Sequence, residues 1–239
     1  MKNFNYYTPT EIVFGNDSES KIGYLVRRYE GTKVLIHYGG KSAERSGLLN
    51  DICRQLDAEG ILYVKLGGVV PNPRLSKVYE GIELCRKEGV NHILAIGGGS
   101  VIDSAKAIAY GLAYDGDVWD LFDGKAEAKA CYPIGVVLTI PAAGSEMSNG
   151  CVITNEVGSR KRAYNNDLAR PKFAIMNPER TFSLSTYQTA CGIVDIMMHT
   201  MERYFSQEDD MILTDELAES LLRTVKNSAY KVMLTPEDY

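Results

Sequence analysis

The sequence predicts an α/β protein: a Rossmann-like parallel sheet followed by the start of an all-helical region. Three observations carry this. Short apolar runs alternate with longer helical patterns, the signature of βαβ units with helices on both faces of a sheet. Glycine clusters sit where the runs give way to helices. From about Ser183 two long helical patterns follow one another with no strand between them.

Taken in order, Val34 to Tyr38 is β-like and ends in Gly39-Gly40. Leu48, Leu49, Ile52 and Leu56 recur at helical spacing until Gly60 offers a C-terminal cap. Ile61 to Leu66 reads as a strand, and Gly67-Gly68 and Pro71-Asn72-Pro73 form the loop after it. Val78, Ile82 and Cys85 mark a helix that Gly89 ends. His92 to Ile96 is a short apolar strand, Ser100 to Ala113 an Ala-rich helix, and Ile134 to Ile140 another apolar run. Thr186 to Phe205 and Thr214 to Met233 are the two long helices. These patterns divide the chain into an α/β domain, residues 1–182, and the N-terminal part of an all-helical domain, residues 183–239.

Composition narrows the function. With 239 residues, 45% apolar and 24% charged, the chain has enough material for a sizeable core, which sets disorder and fibrous classes aside. Lys and Arg number 26 against 31 acidic residues, a net charge of -5, so no nucleic-acid partner is expected. The longest uncharged stretch, Ala130 to Ser145, is broken by Pro133, Gly135 and Pro141 and is too short to span a bilayer. Met1-Lys2-Asn3-Phe4 opens no apolar signal run. A soluble, cytoplasmic protein without a membrane partner is expected. Cys53, Cys85, Cys131, Cys151 and Cys191 are scattered with no C-x-x-C pair, as reduced, packed thiols would be. The three histidines, His37, His92 and His199, are few for a metalloenzyme.

Two glycine turns follow strands, at the edge where α/β sheets bind ligands. The first, Gly39-Gly40-Lys41-Ser42, fails the G-x-x-x-x-G-K-S phosphate-loop pattern because Leu35 stands where glycine is required. The second is Gly97-Gly98-Gly99-Ser100, directly before a helix. Three residues without side chains let backbone approach a ligand, and a helix start presents free N–H groups and a positive dipole end to a pyrophosphate. Ile102 occupies the third glycine position of G-x-G-x-x-G, so a turn using glycine for geometry alone stays open. Asp103 and Lys106 follow in the first two helical turns. Asp103 is either a dipole-compensating carboxylate or an acceptor for a ligand amide or hydroxyl. A carboxylate at the end of the neighbouring strand would bind a ribose 2′-hydroxyl and reject a 2′-phosphate. The strand ending in Gly39-Gly40-Lys41-Ser42 has none there, which leans toward NADP.

Asp195 and His199 are four apart on a helical pattern, so they share a face. Such a pair supplies two ligands to a divalent metal, or forms a simple Asp–His hydrogen bond. Taken together with Pro71 to Pro73, Gly97 to Lys106, Leu138 to Met147 and Gly192 to Glu202, in that order, the chain resembles the iron-containing (group III) alcohol dehydrogenases. Within them it is most similar to the NAD(P)H-dependent butanol- or aldehyde-reducing branch, over the whole of residues 1–239.

The resemblance implies a dehydroquinate-synthase-like architecture and metal-assisted hydride transfer between an alcohol or aldehyde and a nicotinamide cofactor, NADP or NAD. The metal, Fe2+ or Zn2+, would polarise the substrate oxygen. By position, Gly98, Gly99 and Ser100 would hold the pyrophosphate, with Asp103 near the nicotinamide half. Gly39, Gly40 and Ser42 would surround the adenosine ribose, and Thr139, Asn149 and Lys161 match further cofactor contacts. Asp195 and His199 match the first two metal ligands, and no side chain matches a proton donor. Lys41 replaces a glycine common in the branch, which leaves NAD against NADP open. A homo-oligomer, a dimer, is expected. The family's metal takes two further histidines, and this chain has none after His199. The expectation is therefore a C-terminally truncated chain without turnover of its own. A glycerol-dehydrogenase-like relative on the same scaffold and a non-catalytic dinucleotide-binding or interaction module are the alternatives.

Overall fold

The computed structural model of the chain describes residue 3, residues 5–207 and residues 210–239. Two compact units emerge: an α/β unit, Thr8–Thr139 with Ser145–Asn177, and a helical unit, Met1–Tyr7 with Ile140–Gly144 and Pro178–Tyr239.

The α/β unit contains β1 (Glu11–Phe14), α1 (Ile22–Arg28), β2 (Lys33–Tyr38), α2 (Ser42–Arg45), α3 (Leu48–Ala58), β3 (Leu62–Leu66), α4 (Leu75–Glu88), β4 (His92–Gly97), α5 (Gly99–Leu112), α6 (Trp119–Phe122), β5 (Ile134–Leu138), β6 (Gly150–Asn155), β7 (Arg160–Asn165) and β8 (Phe173–Met176). The helical unit holds α7 (Thr186–Tyr204) and α8 (Ile212–Leu234).

Six strands form a parallel sheet in the order β1-β8-β5-β4-β2-β3. Every residue of β4 and β5 is buried, as befits central strands of a sheet covered on both faces. Side chains alternate between two cores. Leu35, Ile93, Ala95 and Val136 pack with Val78 and Ile82 of α4 and with Ile102 and Ile108 of α5. Val34, Ile36, Leu94 and Ile96 pack with Ile22 and Val26 of α1 and with Ile52 and Leu56 of α3. Each Val, Leu or Ile among them contributes about 1.5–3 kcal/mol on burial.

The helix ends follow from their caps. Gly89 closes α4 in the left-handed region at φ 66°, and Val90 N–H returns to the Cys85 carbonyl at 3.0 Å. A capping box opens α7, with Ser185 and Gln188 each bonding the other's backbone N–H.

Three features lie beyond the sequence pattern. β1 and β8 complete one side of the sheet, and β6 with β7 forms a separate antiparallel hairpin. The apolar run Ile134 to Ile140 stops being strand at Leu138, and Ile140–Gly144 belongs to the helical unit. In that unit Gly192 leaves room for the Pro141 carbonyl, since a Cβ there would stand 2.6 Å from its oxygen. No described helix is long and apolar enough to cross a membrane.

Candidate functional site

The direction of the sheet's connections reverses between β2 and β4. From β2 the chain moves outward to β3, then returns to place β4 on the other side of β2. Adjacent parallel strands whose connections run in opposite directions leave a crevice outside their carboxyl ends, the usual ligand position in such sheets. Both glycine turns lie there. Tyr38 is paired with Ile96, so Gly39-Gly40 and Gly97–Gly99 leave neighbouring strands side by side. Thr139 joins them from β5, its N–H donating to the Gly97 carbonyl at 3.2 Å.

These glycines are not equivalent. A Cβ on Gly97 would meet Val101 Cγ2 at 2.6 Å, so packing alone requires glycine there. Around Gly40 and Gly99 nothing lies within 4 Å of such an atom, and neither has positive φ. The fold needs no glycine at either position, and a bound group would use the space. Gly98 stands at the start of α5 with no side chain capping it, which leaves the first N–H groups of that helix, at Gly99 and Ser100, without intrahelical acceptors. Ser42 begins α2 just beyond the other turn.

His37, one residue from the end of β2, ties this corner together. Its Nδ1 lies 3.0 Å from the Leu66 carbonyl of β3, and its Nε2 lies 2.9 Å from Ser104 Oγ of α5. The ring therefore donates from Nδ1 and accepts the Ser104 proton at Nε2. Burial drives its pKa down to about 4, so the ring is neutral, and with both nitrogens hydrogen-bonded it has no lone pair left for a metal. His92, stacked on Phe173, is buried and likewise pushed down to about 4.

Asp103 is engaged inside the protein. Ser145 Oγ–H donates to its Oδ1 at 2.7 Å and Val152 N–H to its Oδ2 at 3.0 Å. Burial raises its pKa, against the opposing effects of these bonds and of Lys106 and Lys161. Lys106 was legible only as a helix residue; it is fully buried. Its Nζ donates to the carbonyls of Ser145, Ser148 and Gly150 at 2.8, 2.9 and 2.8 Å, with the Ser145 and Ser148 hydroxyls both at 3.1 Å. Burial lowers its pKa while Asp103 opposes the shift. Together Asp103 and Lys106 fasten residues 145–152 to α5. In that segment Asn149 donates to Asp167 Oδ1 at 3.0 Å. Lys161, on β7, donates to Asn72 of the Pro-Asn-Pro loop at 2.8 Å.

In the helical unit, Asp195 Oδ2 and His199 Nε2 are 3.7 Å apart on α7, both partly exposed. Glu202 Oε2 lies 3.7 Å from His199 Nδ1. No group of three or more His, Cys, Asp or Glu side chains suited to a metal occurs among the described residues. Two donors fit part of a metal's ligand set and do not make a whole site.

The family model for iron-containing alcohol dehydrogenases matches residues 9–178, which include both glycine turns. The chain belongs to the iron-containing alcohol dehydrogenase family. Across all of its 239 residues it is 43% identical to a probable NADH-dependent butanol dehydrogenase 2 of Bacillus subtilis, covering 61% of that protein. An NADPH-dependent aldehyde reductase of Escherichia coli is 36% identical, and 62% of it is covered. The crystal structure of NADH-dependent butanol dehydrogenase A from Thermotoga maritima superposes with a TM-score of 0.97 at 41% identity, over 100% of this chain and 60% of that one. The chain thus spans about three fifths of these family members.

Proposed function

We propose that this chain binds NADH or NADPH at the crevice between β2 and β4 and serves the interconversion of alcohols and aldehydes, with butanol and butanal as representative substrates. The observation that carries the reading is the pair of open glycines, Gly40 and Gly99, beside the uncapped start of α5. In this reading the N–H groups of Gly98, Gly99 and Ser100 bind the pyrophosphate. Gly39, Gly40 and Ser42 surround the ribose. Thr139, Asn149 and Lys161 orient the remaining cofactor, and Asp103 acts by holding Ser145 and Val152 beside it. Bound there, a dihydronicotinamide supplies the hydride. The activities named for the relatives, butanol dehydrogenase and aldehyde reductase, support the substrate class.

We assign Asp195 and His199 as donors to a divalent metal, Fe2+ or Zn2+, which they do not complete, and derive no step through it. A homodimer belongs to the same proposal, with the exposed apolar faces of α7 and α8 as its surface. Reduced nicotinamide is an intracellular co-substrate, so we assign the activity to the cytoplasm.

The test is a fluorescence titration of the 239-residue chain with NADH and NADPH, followed by butanal with added Fe2+. Saturable cofactor binding with negligible butanal-dependent oxidation is expected. Absence of binding overturns the cofactor site, and robust turnover with stoichiometric metal overturns the incomplete metal set.

A further inference from the structure

The end of β2 carries no carboxylate in the sequence, yet the next element supplies one. Glu44 lies in α2, and the Tyr38 hydroxyl, from the last residue of β2, donates to its Oε1 at 3.0 Å. The tyrosine is itself fixed, because its ring covers Gly67, where a Cβ would stand 2.6 Å from a ring carbon. A solvent-facing carboxylate is thereby tied to the last residue of β2, one residue before the Gly39-Gly40 turn begins, whose hydroxyl lies over Gly67 just past the end of β3.

The cations of the same turn are placed differently. Arg45 Nε donates to the Lys41 carbonyl at 3.4 Å, which folds its guanidinium onto its own turn. Lys41 is exposed and has no ion-pair partner among the described residues. An ammonium on a long flexible stem attracts any phosphate, pyrophosphate included, so it does not discriminate between cofactors.

We propose that Glu44, held by Tyr38, selects NADH over NADPH by accepting a hydrogen bond from the ribose 2′-hydroxyl and repelling a 2′-phosphate. The proposal rests on the cofactor reading above. A 2′-phosphate brings nearly two negative charges against a carboxylate that the Tyr38 hydrogen bond keeps from swinging away. The sequence lean toward NADP came from the strand end alone, and a four-residue helix reverses it.

The experiment isolates the adenosine half. ADP-ribose and 2′-phospho-ADP-ribose are titrated calorimetrically into the 239-residue chain and into its Glu44→Gln, Tyr38→Phe and Lys41→Ala variants, with thermal melts alongside. The wild type should prefer ADP-ribose by about tenfold, the order expected for one partly screened charge contact. Glu44→Gln should tighten 2′-phospho-ADP-ribose by about tenfold while moving ADP-ribose by less than about threefold. Tyr38→Phe should give an intermediate ratio with an unchanged melting midpoint, and Lys41→Ala should weaken both ligands alike. An unchanged ratio in Glu44→Gln, or a wild-type preference for the phosphorylated ligand, overturns the selectivity and leaves the cofactor site standing. Absence of binding by both ligands in the wild type and in every variant overturns the site and the selectivity with it.

Discussion

Lys106 shows how a single residue organises the α/β unit. Its surroundings, Ala105, Ala107, Ile108 and Ala109, are all fully buried, so a lysine among them needs acceptors around its ammonium. That neighbourhood was the one available hint in the sequence; the acceptors come from residues 145–150, about forty positions away, and no local pattern announces them. Lys106→Met leaves three carbonyls without their donor and Asp103 without its countercharge. A loss of about 3–5 kcal/mol is expected, the cost of breaking a buried pair from one side. A melting midpoint lowered by roughly 10 °C is the readout, and a shift under about 2 °C would refute it. The two buried histidines add a pH dependence. Each ring is neutral in the fold, with its pKa lowered from 6.5 to about 4, whereas the unfolded chain protonates near the ordinary value. Their contribution is complete above pH 6.5 and is lost as the pH falls from there to about 4, on the order of 3 kcal/mol per ring. Urea titrations at intervals over that window should show a shallower decline for a His37→Gln, His92→Phe double variant than for the wild type. Parallel curves would refute the assignment.

At the scale of elements, legibility followed burial. β2, β4 and β5 read clearly because strands packed on both faces are continuous apolar runs, and left-handed glycines such as Gly60 and Gly89 punctuate the helices between them; β3, largely uncovered at the sheet edge, is marked instead by the glycines on either side of it. β1 and β8 are four residues each, too short for a period to register. β7 opens Arg-Lys-Arg and is almost wholly exposed, so it carries no apolar signal; Asp123 holds Arg162 at 3.0 Å and Arg160 at 3.5 Å. The glycine turns were legible as turns, but only coordinates separate a glycine required by packing from one left open. That separation predicts opposite outcomes. Gly40→Ala and Gly99→Ala should leave the melting midpoint unchanged or slightly raised, as replacing a permissive glycine does, while weakening NADH binding by about tenfold. Gly135→Ala drives a methyl into the buried Phe173 ring on the paired strand β8 and should cost about 1–3 kcal/mol. Tight NADH binding by Gly99→Ala would place the cofactor elsewhere.

The whole molecule carries apolar surface that its own described residues leave uncovered. α8 runs for 23 residues, and among the described residues Ala218 is its one buried side chain. Leu213, Leu217 and Leu221 repeat every fourth position along one stripe and are 74%, 63% and 48% exposed. Val194 and Met198 on α7 are also more than half exposed. Although α8 packs beside α7 and Tyr204 donates to Glu219 at 3.0 Å, α7 leaves that stripe open. Contiguous apolar faces of this kind drive association in water. The chain should therefore rise from monomer toward dimer mass in light scattering above about 10 µM, an affinity typical of a modest apolar contact. Replacing Leu213, Leu217 and Leu221 together by Glu should return it to monomer with its melting midpoint largely retained, because none of the three is buried in the fold. Persistent association of that variant would move the interface to the other apolar edge, strand β1, where Ile12 and Phe14 are exposed, and Phe14→Lys would then dissolve it. A wild-type chain that stays a monodisperse monomer to about 100 µM would refute self-association through either surface.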